Sequence, residues 1–109
     1  MAYDEGLAQR VRESLQELPE LVEKKMFGGV GFMVRGNMAC GINGDDLIVR
    51  VGPDRYDEAL TRPHTRVFDM TGRPMRGWVM VAPGGVEEDD EFELWLQQGV
   101  DFALSLPPK

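Results

Sequence analysis

The chain has 109 residues, of which 42% are hydrophobic and 28% are charged, and its formal net charge is −7. These totals are typical of one globular domain over residues 1–109, and they exclude a disordered or fibrous protein. The apolar runs are far shorter than the roughly 20 residues that cross a bilayer, and the acidic amino terminus has no signal-peptide pattern. We therefore expect a cytoplasmic protein without a membrane partner.

The charge is concentrated at one end of the chain. Residues 87–109 carry seven acidic residues and one lysine, whereas the preceding residues are nearly balanced. Proteins that bind nucleic acid normally present a basic surface to the phosphate backbone, so direct nucleic-acid binding is disfavoured. The single cysteine, Cys40, cannot form an internal disulfide, which agrees with a reducing compartment.

The first half of the chain reads as a helix followed by a meander of strands. Apolar residues at three- and four-residue spacing predict a helix over 4–18, with Asp4 as its N-cap. Extended segments at 22–26, 31–34, 38–42 and 47–51 follow, separated by turn signals of which 43–46 is the strongest. These segments predict consecutive antiparallel strands.

The second half adds a helix, two strands and a longer helix. Pro53 starts a short helix that ends near residue 60 or 61, and strands at 67–70 and 78–81 flank a turn at 71–74. A capping box at Asp90 and Glu93 begins the last helix, which contains Gly99 and ends before Pro107. The element order, α-β(3-4)-α-β(2)-α, predicts a two-layer α+β domain with an antiparallel sheet and helices over one face.

The sequence contains no recognisable catalytic or metal-binding set. His64 lies in a predicted loop without an assignable nucleophile, and Cys40 lies among apolar strand residues, so we expect a surface histidine and a buried thiol. A zinc site needs more ligands of these types. Solvated turns and helix ends account for the scattered acids, which are Asp45, Asp46, Asp54, Asp57 and Glu58. We predict no catalytic residue, no metal and no cofactor.

One glycine-containing segment, residues 71–78, combines cations with an aromatic ring. Arg73, Arg76 and Trp78 lie on or beside its predicted turn. Two guanidinium groups and an indole are suited to binding a carboxylate, a phosphate or a peptide. Core packing is the alternative, because arginine stems often cover apolar surface and Trp78 can itself be buried.

A second glycine-containing segment, residues 25–32, is also a candidate interaction site. It contributes Lys25, Phe27, Gly28 and Gly29. Its glycines lead into a strand and lack the lysine and hydroxyl pair of a phosphate-binding loop, which favours a tight backbone turn. The methionines of the chain are expected to be mostly core at alternating strand positions, with an adaptable docking face as the alternative.

Several segments in a fixed order resemble one protein family. Residues 25–29, 36–38, 47–53, 71–78 and 102–109 are similar to the amino-terminal domain of the TfoX/Sxy family, named for a bacterial regulator of natural competence. The resemblance spans essentially the whole chain, so the chain resembles a stand-alone copy of this domain. It implies an α+β fold similar to type III secretion chaperones, and action beside a catabolite-activator-type transcription factor rather than catalysis.

These observations favour a non-enzymatic interaction module as the function. The expected partner is another protein, with a transcription regulator as the candidate, and the expected surface combines Arg73, Arg76 and the 26–31 turn. A homodimer through an exposed sheet edge is a further expectation. The alternative is a small-ligand-binding protein or an uncharacterised enzyme, with an anion-binding pocket beside the glycine-rich turn where Arg73 or Arg76 holds the anion.

Overall fold

Six strands form one antiparallel sheet in the computed structural model, which describes residues 3–26, 28–69 and 72–108, with the backbone alone of Met26. The strands are β1 Leu21–Met26, β2 Gly29–Val34, β3 Asn37–Asn43, β4 Asp46–Arg50, β5 Thr65–Val67 and β6 Trp78–Val81. The described helices are α1 Glu5–Ser14, α2 Tyr56–Leu60 and α3 Asp89–Ser105. This architecture confirms the α+β prediction.

The strands lie in the order β1-β2-β3-β4-β6-β5. The first four follow the predicted meander, each pairing antiparallel with the next. β6 then pairs with β4 on one side and with β5 on the other. The last two strands are therefore neighbours as predicted, but the later strand occupies the inner position.

The first helix begins as predicted and ends earlier. The Asp4 carboxylate accepts hydrogen bonds from the backbone N–H groups of Gly6 (2.8 Å) and Leu7 (3.2 Å), which confirms the N-cap. α1 ends at Ser14, so the prediction of a helix to residue 18 is wrong. Leu15 and Leu18 still pack against a buried cluster beside α3, and this burial preserves the apolar spacing after the helix has ended.

Several other predicted boundaries also differ from the structure, and α2 begins at Tyr56, after a 3₁₀ turn at Pro53–Arg55, rather than at residue 53. β2 begins at Gly29 rather than at residue 31. β5 ends at Val67, because Phe68 leaves the strand and is buried against the sheet, and residues 70–71 of the prediction lie outside the described residues. The capping box is wrong: α3 begins at Asp89 with Glu88 at the N-cap, and no side chain caps it.

The helices cover one face of the sheet, called the helix face here. Alternate residues of the central strands, among them Phe32, Cys40 and Val49, are buried there against α1 and α3. At Gly99 of α3 a Cβ atom would overlap the carbonyl oxygen of Ala39 in β3. The helical glycine, which the sequence marks as a cost of ~1 kcal/mol relative to alanine, lets α3 approach the sheet closely.

The opposite face, called the loop face, is covered by the connection between β5 and β6. Phe68 from this connection is buried with Met38, Ile48 and Met80. The half-buried side chains that pack against this cluster are Met33, Met75 and Trp78. Four methionines are thus wholly or partly core, as predicted from their strand positions. No helix in the described part of the chain is long and apolar enough to span a membrane.

Candidate functional site

The glycine turn, residues 28–29, connects β1 to β2 at a corner of the sheet. Gly28 has a φ of +73°, and no atom of the described residues beyond its chain neighbours lies within 4 Å of the position its Cβ would take. A Cβ on Gly29 would overlap the carbonyl oxygen of Ile42, so β2 can approach β3 closely here. Lys25 is exposed beside the turn, and Phe27 lies outside the described residues. Backbone geometry explains both glycines, as the sequence predicted.

The second glycine-containing segment packs against the end of β4. The Gly77 carbonyl accepts hydrogen bonds from the backbone N–H groups of Val51 (2.8 Å) and Gly52 (3.0 Å). Gly52 and Gly77 both have positive φ, +88° and +96°. A Cβ on Gly52 would lie 2.5 Å from the ring of Phe102 in α3. Two of the segments that carry the family resemblance, 47–53 and 71–78, therefore meet at Gly52 and Gly77.

Arg50 lies at this junction, where β4 and β6 end beside α3. It is paired with Trp78 across the strands. Its guanidinium carbon lies 5.0 Å from the Trp78 ring centroid and 5.2 Å from that of Phe102, within the range of cation–π contacts. Burial lowers the pKa of Arg50. The half-buried guanidinium is held by aromatic rings from the sheet and from α3.

The sequence analysis did not single out Arg50 as a site residue. One signal was present: alternation along β4 places Arg50 on the same face as Ile48, which is 2% exposed. A charged residue at a position where alternation along the strand predicts a buried apolar one is unusual, and this could have marked Arg50. Without the pairing partner of β4, however, neither Trp78 nor Phe102 can be assigned as its neighbour.

The predicted residues Arg76 and Trp78 lie at the same junction, and Arg73 lies in the connection that ends there. The Arg76 guanidinium is 5.1 Å from the ring centroid of Tyr56 and 3.5 Å from the Asp57 carboxylate. Trp78 is half-buried, and its ring centroid is 5.9 Å from that of Phe68. Arg73 is exposed. We call Arg50, Arg73, Arg76 and Trp78 the arginine end of the sheet.

The arginine end and the glycine turn lie at different corners of the sheet. Val30 of β2 lies in one transverse row with Ile42, Leu47 and Val81. Trp78 is three residues from Val81, so the two sites are separated by roughly 10 Å along the strands. They are also three strands apart, roughly 14 Å across the sheet. The prediction that Arg73, Arg76 and the 26–31 turn form one surface would therefore require a surface that spans this distance, and it remains a prediction.

The remaining titratable residues have structural roles. Cys40 is fully buried, and burial raises the pKa of its thiol to about 12, which makes it a poor nucleophile. His64 is exposed on a loop with a φ of +64°. Three of the scattered acids, Asp46, Asp57 and Glu58, pair with arginines. The described residues contain no group of three or more His, Cys, Asp or Glu that could hold a metal ion.

A cavity of about 220 Å³ lies next to the arginine end and away from the glycine turn. Its walls come from the residues after β4 and from the last turns of α3: Val51, Gly52, Pro53, Asp54, Arg55, Gln98, Asp101, Phe102 and Ser105. The side-chain oxygen of Gln98 is buried without a hydrogen-bond partner in the described structure. The ligand pocket predicted beside the glycine turn remains a prediction.

Comparison with known proteins identifies a domain family. The model of the TfoX N-terminal domain matches residues 13–103, which is nearly the whole chain. The match agrees with the resemblance inferred from the sequence motifs and includes the junction of β4, β6 and α3. No curated protein and no solved structure matches the chain.

Proposed function

The chain belongs to the TfoX N-terminal domain family, and on this basis we propose that it is a cytoplasmic protein-interaction module that acts as a transcription co-regulator. The module works without catalysis and binds a protein partner at the arginine end. The observation that carries this proposal is the contact of Arg50 with Trp78 at the junction of two segments typical of the family, with Arg76 two residues before Trp78 in the chain.

The composition of the arginine end supports a binding surface. Tryptophan and arginine are enriched among the residues that contribute most to protein–protein affinity. Trp78 is half-buried between Phe68 and Arg50, so its ring is held in place and loses little conformational freedom on binding. The Arg76–Asp57 pair, at 3.5 Å and highly exposed, is weak enough to exchange for a pair with a partner.

The proposal is tested by affinity capture of the tagged protein from its own cell extract after nuclease treatment. Mass spectrometry of the captured proteins should identify a transcription regulator. The double variant Arg73→Ala with Arg76→Ala should lose this partner while its urea-unfolding midpoint stays close to that of the wild type. Capture unchanged in the double variant would remove the arginine end as the surface.

A small-ligand-binding function is the alternative, and the cavity after β4 favours it over a pocket at the glycine turn. Gln98 and Ser105 line this cavity and bring polar side chains to a ligand bound there. The same capture experiment tests this alternative, because small molecules that copurify are measured in the same preparation. A bound metabolite that is lost in Gln98→Leu would favour ligand binding.

A homodimer through β1 is a separate proposal. β1 is an edge strand, but Glu23, Lys24 and Lys25 give it the charges that usually prevent self-pairing. In a two-fold antiparallel pair one residue lies opposite its own copy, and Val22, 55% exposed, is the residue there that avoids opposing like charges. Light scattering should show a dimer that Val22→Lys dissociates, and a monomeric wild type would remove this proposal.

A further inference from the structure

We infer that Arg50 is a carboxylate-binding residue, and that an aspartate or glutamate side chain of the protein partner pairs with it between Trp78 and Phe102. This inference rests on the proposed function, because it names the chemistry of the partner at the arginine end. It extends that function from the exposed Arg73 and Arg76 to a half-buried guanidinium.

The first argument compares Arg50 with the other arginines. Six of the nine arginines lie within 4 Å of a carboxylate: Arg10, Arg12, Arg35, Arg62, Arg66 and Arg76. Arg55 and Arg73 are exposed, so water can bind their N–H groups. Arg50 is half-buried, and its guanidinium makes no hydrogen bond or ion pair with the part of the chain described here, although its N–H groups still reach solvent and are accessible to a partner. It therefore differs from all the others.

The second argument concerns what the aromatic rings supply. The rings of Trp78 and Phe102 stabilise the positive charge of Arg50 through their faces. They offer no lone pair of the kind that the five guanidinium N–H donors need. A carboxylate supplies two oxygens in the geometry that matches the guanidinium fork, and its charge offsets the desolvation that lowers the pKa of Arg50.

The surrounding backbone is arranged so that Phe102 can reach Arg50. Gly52 has no Cβ, and an added Cβ would lie 2.5 Å from the Phe102 ring. The ring therefore packs directly against the backbone after β4 and lies over the Arg50 guanidinium. Residues from three elements, β4, β6 and α3, hold the orientation of this one side chain.

The charge of the site favours a carboxylate over a phosphate. Arg50 contributes one positive charge, and Asp57 offsets the charge of Arg76 for as long as their exposed pair is kept. The charged residues that line the adjacent cavity are Asp54, Arg55 and Asp101, and their net charge of −1 opposes a dianion more strongly than a monoanion. A singly charged carboxylate matches one guanidinium.

The direct test uses nuclear magnetic resonance of the full chain labelled with nitrogen-15. The signals of the Arg50 Nε–H and of the Trp78 indole N–H are followed during titration with benzoate, with sodium chloride added to keep the ionic strength constant. Benzamide is the neutral control of the same shape. Benzoate should shift both signals with a saturable curve, whereas benzamide should shift them at least fivefold less.

Variants identify the binding group. Arg50→Lys keeps the charge and loses the fork, so benzoate affinity should fall at least threefold, and Arg50→Gln should abolish the saturable shift of Trp78. Arg55→Gln, a nearby exposed arginine, is the matched control and should bind normally. Equal shifts with benzamide, or normal binding by Arg50→Gln, would overturn the inference. If Arg50→Gln does not fold, the benzoate affinity of Arg50→Lys and the comparison of benzoate with benzamide test whether Arg50 binds the carboxylate.

Two further measurements are needed. The first distinguishes a carboxylate from a phosphate as the bound anion, and the second tests the role of Arg50 separately from the proposed function. Inorganic phosphate that binds more tightly than benzoate would overturn the assignment to a carboxylate. Capture that is lost in the Arg73 and Arg76 double variant and unaffected by Arg50→Gln would leave the proposed function standing and overturn the role of Arg50. Failure of the wild type to capture any partner would overturn the proposed function and with it the assignment of the carboxylate to a protein.

Discussion

Gly28 of the glycine turn and the two glycines beside the arginine end, Gly52 and Gly77, have different surroundings. Gly28 lies at a corner of the sheet, with open space where its Cβ would be. Gly77 and Gly52 lie where β4, β6 and α3 converge, and each would bring a Cβ close to packed atoms. All three have positive φ. Backbone conformation alone constrains the first glycine, whereas conformation and packing both constrain the other two.

This difference shows what a glycine in a sequence can and cannot indicate. A turn signal predicts positive φ from local residues. Whether the space beside the glycine is filled depends on residues far away in the chain, here Phe102 beside Gly52. Substitutions by alanine separate the two effects, because alanine adds a single Cβ at each position.

The largest expected effect is that of Gly52→Ala. The φ of +88° and ψ of 158° belong to a region that is populated almost only by glycine, and the new Cβ would also meet the Phe102 ring. We expect a loss of at least about 3 kcal/mol in the free energy of unfolding, measured with urea. In a Phe102→Ala background the steric part should disappear, so strictly additive effects would contradict this explanation.

A smaller effect is expected for Gly77→Ala. Its φ is +96°, and the nearest atom to a new Cβ is the carbonyl carbon of Gly52 at 3.3 Å, which is tight without a hard overlap. The expected loss is about 2 kcal/mol. Because the Gly77 carbonyl binds Val51 and Gly52, the amide protons of these two residues should also exchange faster. A loss under 0.5 kcal/mol would show that the backbone adapts.

Gly28→Ala should cost less, about 1 kcal/mol, because only the positive φ is penalised. Gly28→Asn should recover part of this loss, since asparagine tolerates the left-handed region better than alanine. The comparison fails if Gly28→Ala destabilises the protein as much as Gly52→Ala. That outcome would mean that the position of Gly28 is also packed, as that of Gly29 is.

The smallest expected effect concerns the attachment of β1 to α1. The Arg12 guanidinium donates to both carboxylate oxygens of Glu23, at 2.6 and 2.8 Å, and lowers the pKa of this carboxyl. A lowered pKa in the folded state means that the stabilisation is present at neutral pH and is lost as the pH falls below about 4. Glu23→Gln should therefore cost less than about 1 kcal/mol at pH 7, and this cost should become smaller as the pH is lowered to 3.

Urea unfolding of the Glu23→Gln variant at several pH values checks this prediction. Glu17→Gln, at an exposed acid outside any ion pair in the described structure, is the matched control and should show no such pH dependence. A cost for Glu23→Gln that persists unchanged at pH 3 would assign the effect to packing instead of charge.

Local patterns predicted the elements that depend on local interactions. The Asp4 cap, the meander of four strands and the buried position of Cys40 all follow from neighbouring residues, and the structure confirms them. The prediction extended α1 to residue 18 because Leu15 and Leu18 keep a helical spacing. Their burial depends on α3, which lies about 80 residues later.

The candidate site was only partly predictable for the same reason. Arg76 and Trp78 were singled out because cations and a tryptophan beside a turn are unusual together. Arg50 was not, because its aromatic neighbours come from β6 and α3, and the pairing of β4 with β6 skips α2 and β5. Separation of the glycine turn from the arginine end likewise required the strand order.

The inner position of β6 has a consequence for how the protein is made. β1 to β4 can pair in sequence as they leave the ribosome, because each strand finds its partner in the one before it. β5 has no neighbour until β6 is synthesised, since it pairs only with that strand. Pairing of β6 with β4 and β5 therefore completes the sheet. The arginine end forms only after this pairing, because Trp78 belongs to β6.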